Sequence, residues 1–348
     1  MTDAHPRRKQ TQPRATIKDV AREAGVSVSA VSKVLRDAYG ISPEMRHKVT
    51  AVIERLGYRP HAGARAMRGK SFTVGIVLTD LSSPFQTEVA QAISSTLRAG
   101  PFQEIIAIGG AETARQRHCV EALVDRQVDG LILLAPWVEM DWLEQLAARI
   151  PTVAVALHGA PDHMDTVTND DRLGAALMVD RLVELGHRHI AHTGMPDGPF
   201  QEPYVLSHTA RRRGYEEAMR RHGLEPDVVV TSYTEAGGYD AATELLARRQ
   251  PPTAIFAGAD IAALGVLRAA EEKGLAVPED LTVVGYDDIL AARISRVSLT
   301  TVDQSGELTG SVSTRLLLER IEGRGKSVHY VIVPRVVNRN TAMAPAGS

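Results

Sequence analysis

From residue 72 onward, short runs of apolar residues rich in valine and isoleucine alternate with longer stretches whose apolar positions recur at helical spacing. The short runs predict eight β-strands, at 73–78, 104–109, 130–135, 152–157, 189–194, 228–233, 253–258 and 281–286. Strands that are apolar throughout and separated by helices are typical of parallel sheets covered on both faces. The pattern therefore favours two doubly wound α/β sheets with a cleft between them, and ligands bind at the carboxyl ends of such strands.

Residues 16–37 predict two short helices joined by a tight turn. Thr16 is placed to cap the first helix, with Asp19 in the capping-box position, and Gly25 is placed to end it. The second helix is capped by Ser27, and its polar face exposes Val28, Ser29, Ser32 and Lys33. This pattern is typical of a helix-turn-helix, which lays its second helix in the major groove of DNA. A plain helical hairpin inside a larger core is the alternative that these residues leave open.

A third helix is expected directly after this pair, because Ser42 and Pro43 form a cap followed by proline in the first turn. Apolar residues then recur at helical spacing as far as Gly57. Three such helices can close a small core around the turn. Residues 60–70 are polar, basic and rich in glycine and alanine, so we expect a linker that becomes helical only when another surface supports it.

Charge divides the chain at the same place. Residues 1–70 contain 15 Lys and Arg and 6 Asp and Glu, a net charge of +9, whereas the remainder carries −11. The net charge of −2 for the whole chain conceals this asymmetry. A compact basic module suits a polyanionic partner, because neutralising phosphates supplies most of the non-specific affinity for DNA. A solvated basic tail, the alternative, accounts for residues 7–9 but not for the capped helices behind them.

Composition excludes several classes of protein. The 348 residues suffice for a small module and a body of two subdomains, and 44% of them are hydrophobic, as in an ordinary globular protein. No apolar run approaches the length of about 18 residues that a membrane span needs, and the basic N-terminus is not followed by the apolar stretch of a secretory signal. Cys119 is the only cysteine, which predicts a reducing compartment and, given its apolar neighbours, a packing role.

The segment TIKDVAREAGVS…VSKVL, together with GYDD and LGHRHIA further on, resembles the LacI/GalR family of bacterial transcription regulators over about residues 15–342. The resemblance implies a disordered basic tail over 1–14, a headpiece over 15–59 and a hinge helix over 60–70. It also implies a periplasmic-binding-protein-like core over 71–345 that dimerises and binds a small effector. Within that core we expect the N-subdomain at about 71–185 and 304–329, and the C-subdomain at about 186–303 and 330–345.

Carried over to this sequence, the resemblance implies that the protein contacts DNA through Thr16, Ser27, Val28, Ser29, Ser32, Lys33, Arg65 and Met67. Lys33 can donate to guanine or to a phosphate, and Val28 can contact a thymine methyl, unless it simply packs within the headpiece. Met67 stands where the family more often has a leucine that wedges into the minor groove. Methionine keeps such a wedge apolar but makes it less rigid.

For the effector, the matching positions follow the strand ends and are Asp80, Ser82, Phe85, Gln86, Trp137, Asp170, Arg211, Asp260, Asp287 and Gln304. Arginine and aspartate facing each other across a dry cleft suit a ligand with many hydroxyls, and Trp137 and Phe85 can stack on a sugar face. We therefore expect a sugar or an oligosaccharide, with a nucleobase or another metabolite as the alternative. Ala259 departs from the asparagine that is common in the family, which removes one partner for a sugar hydroxyl.

The stretch 194–213 is several residues longer than the usual connection in the family. It contains Phe200 and Tyr204, and it either lines or covers the cleft or remains a surface loop. The sequence leaves both interpretations open.

Signals of an enzyme are missing from the sequence. It contains no dinucleotide-binding glycine motif, Walker loop or nucleophile elbow, and we expect neither a metal site nor a cofactor. On a strand, His187 and His189 would share one face and His192 would lie on the other, so the three cannot meet one ion. We expect a cytoplasmic, dimeric repressor that reads a pseudo-palindromic operator under the control of its effector. The alternative is a sugar-binding protein of the same core fold with no role on DNA.

Overall fold

The computed structural model describes residues 15–35, 40–58 and 70–345. The chain divides into two compact units, Met1–Ser71 and Phe72–Ser348, and each is described by itself below. The tail expected over 1–14 lies outside the described residues, as does almost all of the expected hinge, with Arg65 and Met67.

The first unit contains three helices, α1 (Ile17–Ala24), α2 (Val28–Leu35) and α3 (Pro43–Leu56). The expected capping box begins α1: the Asp19 amide donates to Thr16 Oγ1, and the Thr16 amide donates to Asp19 Oδ2 over 2.9 Å. Gly25 ends α1 at φ 63°, a left-handed conformation that glycine adopts without strain. The predicted turn between two helices is thereby confirmed.

One buried cluster holds the three helices together, and it consists of Val20, Ala21, Ala24, Val31, Val34, Val49, Val52 and Tyr58. On α2, Val28, Ser29 and Lys33 are exposed as expected. Ser32 was expected on the outer face, and this prediction is wrong because the side chain is only 8% exposed. It lies between Val31 and Lys33 on α2, so the buried face of this helix is wider than its apolar residues alone indicate.

The second unit contains a six-stranded parallel sheet of β1 (Thr73–Leu78), β2 (Gln103–Ile108), β3 (Gly130–Leu134), β4 (Thr152–Val155), β6 (Asp165–Asn169) and β13 (His329–Ile332). The order of the strands in this sheet is β2–β1–β3–β4–β6–β13. Helices α4 (Pro84–Leu97) and α12 (Gly306–Ile321) pack on one face of this sheet, and α5 (Thr113–Val124) and α6 (Met140–Ala147) pack on the other. We call this layered body the first lobe.

The second lobe contains a four-stranded parallel sheet of β7 (Ile190–Gly194), β9 (Asp227–Val230), β10 (Ala254–Ala257) and β11 (Thr282–Val284). The order of the strands in this sheet is β9–β7–β10–β11. Helices α7 (Asp171–Glu184) and α8 (Ser207–Arg221) cover one face, and α9 (Glu235–Leu246), α10 (Asp260–Glu272) and the short α11 (Leu290–Arg293) cover the other.

All eight predicted strands are present within a few residues of their expected bounds. Two further pairs of strands are antiparallel: β12 (Thr301–Asp303) with β14 (Arg335–Val337), and β5 (Leu157–His158) with β8 (Val205–Leu206). No helix in the described part of the chain has the length and apolar content that crossing a bilayer requires.

The chain passes between the lobes after β6, after β12 and after β13, and two of the expected subdomain boundaries are wrong. The first crossing follows Asn169 rather than 185, because α7 buries Met178 and Leu182 against β7 and α8 of the second lobe. The last crossing follows Ile332 rather than 329, because β13 pairs with β6 in the first sheet. An amphipathic helix or an apolar strand does not itself reveal which of two sheets it joins.

The longer connection between β7 and α8, residues 195–206, reaches from the second lobe to the first; we call it the bridge segment. Its β8 pairs with β5, which places Leu157 opposite Leu206. Leu206 is buried in the apolar cluster of the first lobe, and Phe200 and Tyr204 pack against the same cluster. The bridge segment therefore ties the lobes together at one side of the cleft and is not a free surface loop.

Candidate functional site

A cavity of about 410 Å³ lies in the cleft between the two lobes. Its walls are the segments that follow the carboxyl ends of the strands, which is where open α/β sheets bind ligands. The structure brings together most of the residues that were predicted from the sequence to bind the effector. Those that line the cavity are Asp80, Ser82, Phe85, Gln86, Trp137, Arg211, Asp287 and Gln304.

Two nominated residues do not line the cavity, and both have structural contacts instead. Asp170 is the N-cap of α7, where its Oδ1 accepts the amide of Leu173 over 3.0 Å. Asp260 is completely buried, and its two oxygens accept the Thr301 hydroxyl over 2.5 Å and the Ile289 amide over 2.9 Å. Asp260 thus fixes the loop after β11 to the crossing strand β12, and its neighbour Ala259 faces the cavity in its place.

Arg211 projects from α8 into the centre of the cleft and is 4% exposed. Its Nη2 lies 2.8 Å from Asp171 Oδ1, and its Nη1 donates to the carbonyl of Gly258. The plane of the guanidinium covers the Tyr286 ring, with 3.5 Å between Cζ and the ring centroid. Nη1 also lies 4.0 Å from Oδ1 of Asp287, so one buried cation stands between two carboxylates.

The two carboxylates differ in their electrostatic environment. Burial raises the pKa of Asp171, but the Arg211 charge and the hydrogen bond with His158 outweigh it, and the net pKa lies below the usual value. At Asp287 burial dominates over the more distant Arg211 and raises the pKa to about 7. The backbone of Asp287 is also unusual, with φ at 122°, and its amide donates to Val302 of β12 over 2.8 Å.

A chain of amide and carboxyl groups crosses from one lobe to the other below the cavity. Asn169, at the end of β6, donates through Nδ2 to Gln304 Oε1 over 3.2 Å. Gln304, just after β12, donates through Nε2 to Asp287 Oδ1. Oδ1 of Asn169 is buried and has no hydrogen-bond partner in the described part of the chain. Gln304 and Asp287 line the cavity, and Asn169 and Gln304 stand where the chain crosses between the lobes, so the polar floor of the cavity is bonded to two of these crossings.

On the first-lobe side, a short loop between β1 and α4 forms the rim of the cavity. Gln86 accepts the amide of Thr79 over 2.9 Å and donates to its hydroxyl over 2.5 Å. Asp80 is exposed, and its Oδ1 accepts the Ser82 amide over 2.7 Å. Phe85 packs against the core of this lobe and also lines the cavity.

An aromatic pair spans the cleft, with Trp137 from the first lobe and His208 from α8. Burial lowers the pKa of His208 to about 4, so the imidazole is neutral at pH 7. His208 Nε2 lies 2.9 Å from the carbonyl of Pro196 in the bridge segment, so Nε2 carries the proton and donates it. Nδ1 is therefore an acceptor.

Several residues of the site were not nominated from the sequence. His208, Tyr233, Met195 and Arg115 line the cavity. Tyr233 follows a strand end, so the expectation that ligand groups follow strand ends could have selected it. Met195 begins the bridge segment and His208 follows it, and no local pattern reveals the path of this segment across the cleft.

The nominated DNA-facing residues of the first unit fall into two groups. Val28, Ser29 and Lys33 are exposed on α2, with Val28 40% exposed despite its apolar side chain. Thr16 and Ser27 cap α1 and α2; Ser27 Oγ accepts the Ala30 amide over 3.1 Å and lies 2.8 Å from Ser29 Oγ. The exposed edge that α2 offers to a groove thus carries one cation, one hydroxyl and one apolar group.

Both units match family models. Residues 16–61 match the model of bacterial regulatory proteins of the lacI family, and residues 179–342 match that of the periplasmic binding protein-like domain. Catabolite control protein A of Priestia megaterium is 35% identical over 307 residues, which covers 87% of this chain and 91% of that protein. The chain belongs to the LacI family of bacterial regulatory proteins. It is accordingly a DNA-binding transcription regulator and not an enzyme.

Solved structures agree with this membership. The lac repressor dimer bound to operator and the anti-inducer ONPF superposes with a TM-score of 0.81 at 27% identity, over 95% of this chain and all of that one. A complex of the transcriptional regulator CelR with cellobiose gives a TM-score of 0.69 at 30% identity, over 94% of this chain and all of that one. The headpiece match removes the basis for a sugar-binding protein without a role on DNA.

Proposed function

We propose that this LacI-family protein is a dimeric, cytoplasmic repressor whose binding to a pseudo-palindromic operator is controlled by a carbohydrate in the interlobe cavity. The observation that carries the proposal is the composition of the cavity. Flat rings at Phe85 and Trp137 face a polar floor of Arg211, Asp287 and Gln304.

A sugar is amphipathic in the same way as these walls. Its ring presents apolar C–H faces that suit aromatic side chains, and its edges carry hydroxyls that donate and accept at once. Arg211 and the Gln304 amide supply donors, while Asp287 and Nδ1 of His208 supply acceptors. The complex of the related regulator CelR with cellobiose, a carbohydrate, supports this choice.

The DNA-contacting surface in this proposal is the exposed edge of α2. Lys33 donates to guanine or phosphate, Ser29 donates to phosphate oxygens, and Val28 contacts a thymine methyl. Since one lysine offers fewer base-specific bonds than an arginine fork would, the proposed wedge at Met67, flanked by Arg65, takes a large share of the specificity. Two headpieces on one pseudo-palindrome then require a dimer.

Control follows from linkage between cleft geometry and operator binding. An effector that binds one arrangement of the lobes more tightly shifts the protein toward that arrangement. The lobes are joined by the crossings after β6, β12 and β13. Gln304, just after β12, lines the cavity and accepts a hydrogen bond from Asn169 at the end of β6. A ligand that contacts Gln304 therefore biases the lobe geometry directly.

DNA binding is tested by fluorescence anisotropy with fragments from upstream of the gene and scrambled fragments of equal length, over a range of salt concentrations. We expect specific binding by the full chain and none by residues 71–348. Equal affinity for all fragments, or binding that survives the deletion, contradicts the proposal.

Effector binding is tested by thermal unfolding of the full chain with a panel of mono- and disaccharides and, as the alternative class, nucleobases. A true effector raises the melting temperature by mass action, and Arg211→Met should abolish that rise. Arg220→Met is the matched control, because Arg220 lies on the same helix but is 61% exposed and is not among the residues that line the cavity. A rise with nucleobases alone contradicts the carbohydrate assignment.

A further inference from the structure

We propose that Asp171 is a specificity-determining residue that restricts the cavity to uncharged sugars and excludes sugar acids and sugar phosphates. The inference rests on the proposed function, because it names the class of carbohydrate that the same cavity accepts.

The argument begins with the hydrogen-bonding edge of Arg211. An arginine binds a carboxylate or phosphate most tightly through two parallel N–H groups, and Nε and Nη2 form one such fork. In this structure both already donate to Asp171 Oδ1, Nη2 over 2.8 Å and Nε over 3.3 Å. Nη1 donates to the Gly258 carbonyl, so a ligand meets only the remaining N–H groups of Nη1 and Nη2.

Asp171 cannot readily yield its place to a ligand anion. Its side chain is fully buried at the first residue of α7, and its second oxygen, Oδ2, lies 2.9 Å from His158 Nε2. His158 belongs to β5, which pairs with β8 of the bridge segment, so the partner of Oδ2 is itself held by backbone hydrogen bonds. Moving Asp171 would leave a buried carboxylate without partners, which is costly.

The charges around Arg211 also disfavour an anionic ligand. Arg211 supplies one positive charge, and the carboxyls of Asp171 and Asp287 lie 2.8 Å and 4.0 Å from its nitrogens. An anionic group that entered here would face two carboxyl groups with no uncompensated buried cation to receive it. A hydroxyl has no such penalty, because it can accept from Arg211 and donate to Asp287 at the same time.

Arg115 is the only other arginine among the described residues that line the cavity. It is exposed at the first turn of α5, on the first-lobe side, and solvent and salt screen its charge. It therefore does not replace a buried, preorganised anion site at Arg211.

The test uses matched pairs of ligands that differ in charge: glucose with glucuronate, cellobiose with cellobionate, and ribose with ribose 5-phosphate. Binding to the full chain is measured by isothermal titration calorimetry at low salt, for wild type, Asp171→Asn and Asp170→Asn. Asparagine at 171 keeps a hydrogen-bond acceptor for Arg211 but removes the charge. Asp170→Asn is the matched control, because it removes a charge one residue away, outside the cavity lining, and asparagine still caps α7.

In wild type we expect the charged member of a pair to bind at least about tenfold more weakly than the neutral one, since like charges disfavour each other at a buried site. Asp171→Asn should reduce that preference by about tenfold or more, and Asp170→Asn should leave it unchanged. Equal binding of both members by wild type, or an unchanged preference in Asp171→Asn, overturns the inference. If Asp171→Asn does not fold, Asp287→Asn removes the second carboxyl and should likewise increase affinity for the anion.

The failure of the carbohydrate proposal is distinguishable from the failure of this inference. If no neutral sugar binds wild type, the carbohydrate proposal fails. The role of Asp171 is then decided by glucuronate and ribose 5-phosphate alone: a gain of binding in Asp171→Asn supports it, and no gain overturns it.

Discussion

The indole ring of Trp137 stacks on the imidazole ring of His208 across the interlobe cleft, with 5.8 Å between centroids and 19° between planes. The two residues belong to opposite lobes, so the stack is sensitive both to a ligand and to the relative position of the lobes. Both rings line the cavity, and His208 is hydrogen-bonded to Pro196 of the bridge segment. The environment of the Trp137 indole should therefore change when a ligand binds or when the lobes move.

Tryptophan fluorescence should therefore report effector binding. The chain has two tryptophans, and Trp142 lies outside the cavity lining, where Arg117 covers its ring at 5.2 Å. In Trp142→Phe, a saturating sugar should change the emission of Trp137, because the ligand displaces water from that indole. Trp137→Phe should show no such change, and Trp137→Ala should weaken binding by about fivefold, the equivalent of roughly 1 kcal/mol of ring contact. A signal that arises only from Trp142 would contradict this assignment.

Acid should destabilise the fold partly through His192. This ring is fully buried, donates to the Phe256 carbonyl over 2.9 Å and stacks on Tyr215, and burial lowers its pKa to about 3. The unfolded chain therefore takes up a proton near pH 6.5 that the folded state does not accept until about pH 3. Stability from this residue is complete above pH 6.5 and is lost as the pH falls through that window.

The measurement is urea unfolding between pH 6.5 and 4.5, in wild type and in His192→Phe. The variant should reduce the pH dependence of the unfolding free energy by about 1.4 kcal/mol per pH unit, which corresponds to one proton. His118→Phe, at an exposed position, should leave the slope unchanged. An equal slope in wild type and His192→Phe would show that this histidine is not protonated on unfolding.

The bridge segment should contribute measurably to the stability of the first lobe. Leu206 is 1% exposed and packs in a cluster with Leu157 and Met164, although the segment itself extends from the second lobe. Leu206→Ala should lower the free energy of unfolding by about 2–4 kcal/mol through lost burial and a residual cavity. Leu81→Ala, at a leucine that is 60% exposed, should change it by about 0.5 kcal/mol or less. Similar values for the two variants would mean that the bridge segment is not docked in solution.

Local patterns predicted the parts of the fold in which each residue is explained by its neighbours along the chain. The strand TVGIVL of β1 is apolar throughout, and Thr16, Asp19 and Gly25 bound α1 by local hydrogen bonds and backbone conformation. By contrast, β6 has the polar sequence DTVTN and was missed, although it is fully buried. Its Asp165 is neutralised by Arg320 and Arg324, more than 150 residues later, and such pairing leaves no local trace.

In the candidate site, too, the sequence predicted the location of residues but not the contacts between residues far apart in the chain. The resemblance to the family, carried onto positions near the strand ends, selected eight residues that line one cavity. It could not show that Asp260 turns inward to hold Thr301 and Ile289, because that depends on a strand 41 residues away. Nor could it show that Arg211 is paired with Asp171, since these residues lie on different helices 40 positions apart. The pattern along the chain therefore predicts which residues lie at the cavity. Which of their polar groups remain available to a ligand depends on side-chain contacts between different helices and strands.

Operator discrimination should depend on Lys33. Its side chain is exposed on α2 beside Ser29 and Val28, where it can reach guanine acceptors in the major groove. Lys33→Ala should reduce the ratio of affinities for operator and scrambled DNA by about fivefold, roughly 1 kcal/mol, since a lysine donates without the fork of an arginine. Lys18→Ala, at an exposed lysine of α1, should at most weaken both affinities equally and reduce the salt dependence. Competition anisotropy at several salt concentrations measures both ratios, and an equal loss on all sequences in Lys33→Ala would make Lys33 a phosphate contact instead.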